Sequence, residues 1–141
     1  MGRKIVAAIL GILAMGMTVG LVEGTGHALF PPPAELDLKN PEHLALLMQS
    51  IPLAAKVFVL LGWISGALIG SLVAGAISRA HPFGPCMAVA VAMLVGTTLS
   101  LWMIPHPWWM AAAGLLLPLP IAWGCAQWLQ RRSAAAVAAS S

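Results

Sequence analysis

Four long runs that are almost free of charged residues constrain this sequence more than any motif in it. The runs cover residues 5–22, 57–77, 87–104 and 108–129. Each is close to the roughly 20 residues that a helix needs to cross a hydrocarbon core about 30 Å thick. The short alternation of polar and apolar residues that a membrane β-barrel requires is not found in them. Only 8% of the residues are charged, which is too few to cover a soluble domain. We therefore predict an all-α integral membrane protein that folds as a four-helix bundle.

Residues 1–132 are expected to form a single four-helix transmembrane domain. Its predicted spans cover residues 5–30, 53–78, 87–104 and 108–130 approximately. Pro118 and Pro120 fall inside the fourth span, where each removes a backbone hydrogen bond, so a kink is expected there. The alanine- and serine-rich segment 133–141 is predicted to be a disordered tail.

The loop between the first two spans is the longest polar segment. It opens with the proline run 31–33, which favours a stiff, extended chain. Asn40 has the character of a helix N-cap, and Pro41 suits the first helical position. A short amphipathic helix is therefore predicted at about 41–50. It would lie on the membrane surface or cap the bundle.

Lysine and arginine are distributed unevenly between the two ends of the predicted bundle. Five of the seven fall at one end and two at the other, and the end rich in these residues normally faces the cytoplasm. This predicts that both termini are cytoplasmic and that the net charge of +3 reflects topology. The expected surrounding is a lipid bilayer, and no nucleic-acid partner is expected. The five are Arg3, Lys4, Arg79, Arg131 and Arg132, and the two are Lys39 and Lys56.

Small residues recur every four positions in the first two spans. Such spacing lets helix backbones approach closely in a membrane. The partner of the second stripe could be the first helix or the same helix of another subunit, so a homo-oligomer or a membrane-protein partner is expected. The predicted packing residues are Gly16, Gly20 and Gly24 in the first span and Gly62, Gly66, Gly70 and Ala74 in the second.

Glu23 and His27 are four residues apart near the end of the first span, so they share one side of that helix. An ionisable residue within a membrane is a candidate for function. Lys56 is expected at a similar depth in the second helix, which predicts a Glu23–Lys56 ion pair or a polar pathway formed by Glu23, His27 and Lys56. Two simpler interpretations stay open. Glu23 could face the headgroups, and Lys56 could extend to the surface.

Imidazole and carboxylate groups collect at the predicted outer side, and together they suit Zn²⁺ or another divalent ion. The candidate ligands are Glu23, His27, His43 and His106. HExxH, CxxC and paired-histidine spacings are not found, so the metal signal is weak and no cofactor is predicted. Nucleophile, phosphate-loop and carboxylate-dyad patterns are not found either. A non-enzymatic protein is therefore expected.

Three segments are distinctive: His27-Ala28-Leu29-Phe30-Pro31-Pro32-Pro33, Leu60-Leu61-Gly62-Trp63 and Met103-Ile104-Pro105-His106-Pro107. With them, most of residues 15–125 resembles a family of small four-span bacterial membrane proteins that has no assigned activity. The resemblance implies a bacterial inner membrane. Small multidrug-resistance transporters, which have an essential glutamate in their first helix, resemble the chain in size only. In this chain Glu23 lies near the end of the first helix rather than mid-membrane, and the outer loop is long.

Three functions are compatible with these patterns. The first is a structural or accessory membrane subunit that packs through glycine stripes. The second is a small channel or proton-coupled transporter that uses Glu23, His27 and Lys56. The third is a metal-binding protein with its site at the outer face. The first two differ in whether Glu23 faces an aqueous cavity or a dry partner.

Overall fold

The computed structural model describes residues 1–31 and 51–140, and these residues form helices without any strand. The predicted all-α four-helix bundle is confirmed, with four spans long and apolar enough to cross a membrane. The predicted outer-loop helix at 41–50 lies outside the described residues. The helices are α1 (Gly2–Leu29), α2 (Leu53–Ile77), α3 (Phe83–Met103), α4 (Trp108–Leu116) and α5 (Pro118–Ser140).

Prolines set where most of these helices begin. Pro52, Pro82 and Pro107 are the N-caps of α2, α3 and α4. Proline fits at a helix start because the first turn leaves its N–H groups without helical partners. For the same reason α3 accommodates Pro85 in its first turn and begins at Phe83, earlier than hydropathy alone predicts.

The fourth span is broken where its prolines predict a kink. α4 ends at Leu116, α5 begins at Pro118, and Leu117 separates the two helices. Pro118 has no N–H to donate to the carbonyl of Gly114, so the helix ladder is interrupted at this point. The two helices still form one apolar span, Trp108–Ala135.

The C-terminal segment differs from its prediction. The composition of residues 133–141 predicts disorder, but α5 continues as a helix through Ser140. Alanine has the highest intrinsic helix propensity of all residues, so an alanine-rich extension can prolong a helix that is already formed.

Among the described residues, α2 and α3 each contact every other helix, and α2 has the larger contact with α1. α1 packs mainly on α2 and also touches α3, whereas no contact with α4 or α5 is found among the described residues. The side chain of Arg3 donates from Nε to the carbonyl oxygen of Ile77 at 2.8 Å. This bond joins the start of α1 to the end of α2, so the two helices are antiparallel. We call the end that carries Arg3 and Arg79 the basic end.

Two groups of buried residues form the core. The first contains Trp63, Ala67, Met93 and Met110. The second contains Cys86, Ala90, Ala122 and Ala126. The second group consists mostly of alanines, so α3 and α5 approach closely there.

Candidate functional site

The glycines of α2 form the face that packs on α1. Gly62, Gly66 and Gly70 are all buried. A Cβ atom added at Gly66 would lie 2.6 Å from Val19 Cγ2, and one at Gly70 would lie 2.7 Å from the carbonyl oxygen of Gly11. A real Cβ atom does not come this close to neighbouring atoms, so the contact between α1 and α2 depends on glycine at both positions. Ala74 continues the same face and meets Gly11.

The glycines predicted to form the packing face of α1 are not the ones that meet α2. Gly16, Gly20 and Gly24 are exposed, and a Cβ at any of them would meet nothing within 4 Å. Gly11 and Gly26 make the close contacts instead, with a Cβ at Gly26 lying 2.8 Å from Phe58 Cβ. The physical reason is helix rotation. Gly16 is five residues from Gly11, or about 140° around a helix that turns about 100° per residue.

Glu23 lies on the seam between α1 and α2. Its Oε1 accepts a hydrogen bond from the indole Nε1 of Trp63 at 3.0 Å. Its Cγ lies 3.3 Å from the place where a Cβ at Gly62 would be, so the absence of a side chain at Gly62 makes room for the carboxylate arm. A carboxylate inside a membrane span thus acquires a hydrogen-bond donor from the neighbouring helix.

Trp63 connects this carboxylate to the other half of the bundle. The indole is only 5% exposed. Its ring centroid lies 5.6 Å from that of His106, at an interplanar angle of 47°. A Cβ at Gly114 would lie 2.6 Å from Trp63 Cζ3, so α4 passes directly against the ring. We call Glu23, Trp63 and His106 the Trp63 cluster.

His106 lies in the short turn between α3 and α4. Its Nδ1 is 2.7 Å from the carbonyl oxygen of Ile104 and donates to it when protonated at that nitrogen. Partial burial lowers the pKa of His106 below its ordinary value, while the bond to Ile104 acts in the opposite direction. The neutral imidazole is therefore favoured against the Trp63 ring.

The other two residues of the predicted polar pathway are placed differently. A ring nitrogen of His27 lies 2.8 Å from the backbone carbonyl oxygen of Glu23, within its own helix, and the side chain is exposed. Lys56 is partly buried in the first turn of α2. In the part of the chain that the structure describes, the side-chain partner of Glu23 is Trp63 rather than the predicted Lys56. The indole N–H of Trp63 is thus the donor to Glu23, in place of the ammonium group of Lys56 that the ion-pair prediction requires.

The predicted metal ligands are not brought together in residues 1–31 and 51–140, where no group of three histidine, cysteine, aspartate or glutamate side chains could hold an ion. Glu23 and His106 each contact Trp63. His43 lies outside the described residues.

Trp63 is the residue of this site that sequence reasoning missed. The other tryptophans fit an interfacial belt, and Trp102, Trp108, Trp123 and Trp128 are indeed exposed. Trp63 is eleven residues beyond Pro52 and lies between Gly62 and Gly66. A tryptophan that far into a span has an N–H that needs an acceptor, and this requirement was the available signal.

Comparison with known proteins adds no family: no protein-family model, curated protein or solved structure matches the chain. The class is therefore defined by the fold alone. The chain is a multi-pass membrane protein with four helical spans. The resemblance to a four-span bacterial family stays a prediction.

Proposed function

We propose that this chain is a non-enzymatic structural or accessory membrane protein that assembles with a second copy of itself through the outward face of α1. The observation that carries the proposal is the contrast between its two glycine stripes. The glycines of α2 are used within the chain, whereas Gly16, Gly20 and Gly24 are open. We call these three glycines the open face.

The exposure of α1 supports an intermolecular role. Only 11% of its apolar window is buried, against 39% for α2. α1 is also the span that touches only two of the four other helices in the described residues. In lipid, close backbone approach at small residues is a main source of helix association. A second copy presents the same surface, so a two-fold pairing satisfies both faces at once.

The surroundings of Glu23 support a structural role for that residue. Its carboxylate is bonded to a buried indole. The crevice on the α4–α5 side of Trp63, lined by Ala67, Gly114 and Pro118 among others, has no room for a water molecule. Trp63 is therefore closely packed on that side, and its N–H forms an interhelical hydrogen bond with Glu23.

An association experiment tests the proposal. Gly20→Leu is expected to convert the oligomer to monomer, because the larger side chain keeps the two backbones apart. Gly96→Leu is the matched control, because Gly96 is also exposed with nothing within 4 Å of its Cβ position, but it lies on α3. The mass of each variant in lipid nanodiscs or mild detergent gives the result. A monomeric wild type, or equal masses for both variants and the wild type, would exclude the open face as the interface.

We further propose that the protein resides in a bacterial inner membrane with both termini in the cytoplasm. The support is the charge distribution, because Arg3, Arg79 and the Arg131–Arg132 pair belong to one end of the spans. Cytoplasmic ends normally carry this excess. A fluorescent protein that folds only in the cytoplasm should be bright when fused after residue 141. A phosphatase active only outside the cytoplasm should be inactive there, and the reverse pattern would contradict the orientation.

Proton-coupled transport is the second candidate, and it rests on one observation. Glu23 is partly exposed within a span, and the partner of its side chain is an uncharged indole. Such a carboxylate can take up and release a proton. If Glu23→Gln abolishes a pH-driven flux in liposomes while leaving the fold intact, transport replaces the structural proposal. Unchanged flux would remove this candidate.

A further inference from the structure

A groove at the basic end has chemistry that the proposed function does not use. It is an open groove at the surface, with a volume of about 470 Å³. It lies between the turn after α2 and the last part of α5. Its lining is Arg79, Ala80, Gln130, Ser133, Ala134 and Ala138.

Arg79 provides the charge of this groove. Its side chain is exposed, and its Nε donates to the carbonyl oxygen of Ala76 at 3.2 Å. That bond restrains the side chain and leaves the two terminal NH₂ groups of the guanidinium for another acceptor. A guanidinium presents paired N–H donors whose geometry matches the oxygens of a phosphate.

The wall opposite Arg79 adds polar groups. Gln130 contributes an amide, which can donate hydrogen bonds. The hydroxyl of Ser133 donates to the carbonyl oxygen of Leu129 at 3.0 Å, so its oxygen can still accept a bond. The rest of the lining is alanine. The groove therefore combines a cation and hydrogen-bonding groups with an apolar floor.

The depth of the groove matches the lipid headgroups. Trp123 and Trp128 are exposed on α5, as expected for side chains at a membrane interface. The guanidinium of Arg132 lies 4.2 Å from the centre of the Trp128 ring. Ser133 is five residues beyond Trp128, or about 7.5 Å at 1.5 Å per residue. This distance places the groove just outside the hydrocarbon core, in the headgroup layer.

The charge around the groove favours an anion. Arg131 and Arg132 are exposed on the adjoining turn of α5. Among the side chains that the structure describes, Glu23 is the one carboxylate, and it belongs to the other half of α1, away from Arg3.

We propose that this groove binds the phosphate-bearing headgroup of an anionic phospholipid from the surrounding leaflet. Arg79 holds the phosphate, Gln130 bonds the polar part of the headgroup, and the alanines contact its glycerol backbone. Basic grooves of this kind between transmembrane helices are suited to anionic lipids. The site is independent of the open face of α1.

Lipid titration with detection by native mass spectrometry tests the proposal. The full chain in detergent is titrated with phosphatidylglycerol and, separately, with phosphatidylcholine. We expect the wild type to retain one phosphatidylglycerol more tightly than any phosphatidylcholine. Arg79→Gln should weaken that binding by about fivefold or more. Arg79→Lys should weaken it less, because lysine keeps the positive charge but lacks the paired N–H donors of the guanidinium.

Arg131→Gln is the matched control, because it removes one positive charge from the same end and Arg131 does not line the groove. Equal losses in Arg79→Gln and Arg131→Gln would show a diffuse electrostatic effect and overturn the proposal. Inorganic phosphate and glycerol phosphate are added as competitors. If either displaces the lipid at comparable concentration, the groove is a site for a soluble phosphate, and the lipid assignment is wrong. Retention of both lipids equally would also overturn it.

Discussion

Trp63 is the residue that contacts both α1 and the α4 side of the bundle. Its N–H bonds the carboxylate of Glu23 on α1, and its ring lies against Gly114 on α4 and against His106. α1 and α4 do not touch each other in the described residues. Trp63 therefore provides a connection between two helices that do not contact each other.

The Glu23–Trp63 hydrogen bond should be measurable as a coupling energy. A double-mutant cycle with Glu23→Met and Trp63→Phe removes the acceptor and the donor in turn. We expect a coupling of about 0.6 kcal/mol, with an upper value of about 1.7 kcal/mol, as found for interhelical bonds in membrane proteins. Unfolding in mixed detergent micelles gives the free energies. Glu23→Gln keeps an acceptor oxygen and should preserve the coupling, and a value of zero in the cycle would contradict the bond.

His106 should make stability depend on pH. Its pKa is lowered in the folded protein, because burial against Trp63 disfavours the imidazolium. The unfolded chain therefore binds more protons as the pH falls below the ordinary histidine value of 6.5. The contribution of His106 is complete above that pH and is lost progressively below it. Unfolding between pH 7.5 and 5 should show this loss, and His106→Gln should reduce the slope.

The sequence identified Glu23 as unusual but not its partner. A carboxylate in an apolar run is visible in any reading of the residues. Whether Lys56 or Trp63 reaches it depends on the rotation of α2 about its own axis, which is decided by how Gly62 and Gly66 fit against α1. Forty positions separate Glu23 from Trp63, so no local spacing relates them.

At the level of helices, glycine spacing predicted a close seam and left its geometry open. Stripes at four-residue spacing are found on both α1 and α2. On α2 the stripe lies in the seam, but on α1 the seam uses Gly11 and Gly26. A spacing pattern indicates that one face of a helix carries only small side chains. It does not indicate which neighbouring helix packs against that face. Side-chain fit makes that choice, with Met15 and Val19 of α1 seated over Gly66.

Gly70→Ala should therefore destabilise the seam. The added Cβ would approach the carbonyl oxygen of Gly11 to 2.7 Å, and backbone cannot move away as a flexible side chain can. We expect a loss of about 1–3 kcal/mol in the free energy of unfolding, as for other overpacked sites. Gly96→Ala is the control. It should leave stability unchanged or raise it by up to about 1 kcal/mol, because alanine favours helix and nothing lies within 4 Å. Equal behaviour of the two variants would mean that the seam is looser than the structure has it.

For the whole molecule, the apolar runs determined the number of spans, and in the structure prolines precede most helix starts. The arrangement of the spans around α2 could not be read in the same way. All four are apolar on every side, so periodicity carries little information about which face points inward. The alanine-rich end of α5 is helical through Ser140, and composition alone does not distinguish a frayed tail from a helix that a preceding span has already nucleated.

The two cysteines offer a measure of global folding. Cys86 and Cys125 are both buried, and they are the two cysteines of the chain. The thiol of Cys86 also donates a hydrogen bond to the carbonyl oxygen of Ser71, with Sγ and the oxygen 3.2 Å apart. We expect neither thiol to react with a small maleimide in the native protein, and both to react after denaturation. Mass spectrometry counts the added groups. Rapid labelling of either cysteine in the native state would contradict the packing of α3 on α2 and α5.

The antiparallel contact of α1 with α2 has a consequence for how the chain is made. The two helices that share the glycine seam are the first two spans that the structure describes, so the seam can close while the ribosome is still producing the rest of the chain. The hairpin then presents a preformed surface, with Trp63 and Ser71 on α2, against which the later spans can assemble. Membrane insertion can thus proceed span by span, because each new span enters the membrane next to helices that have already packed together.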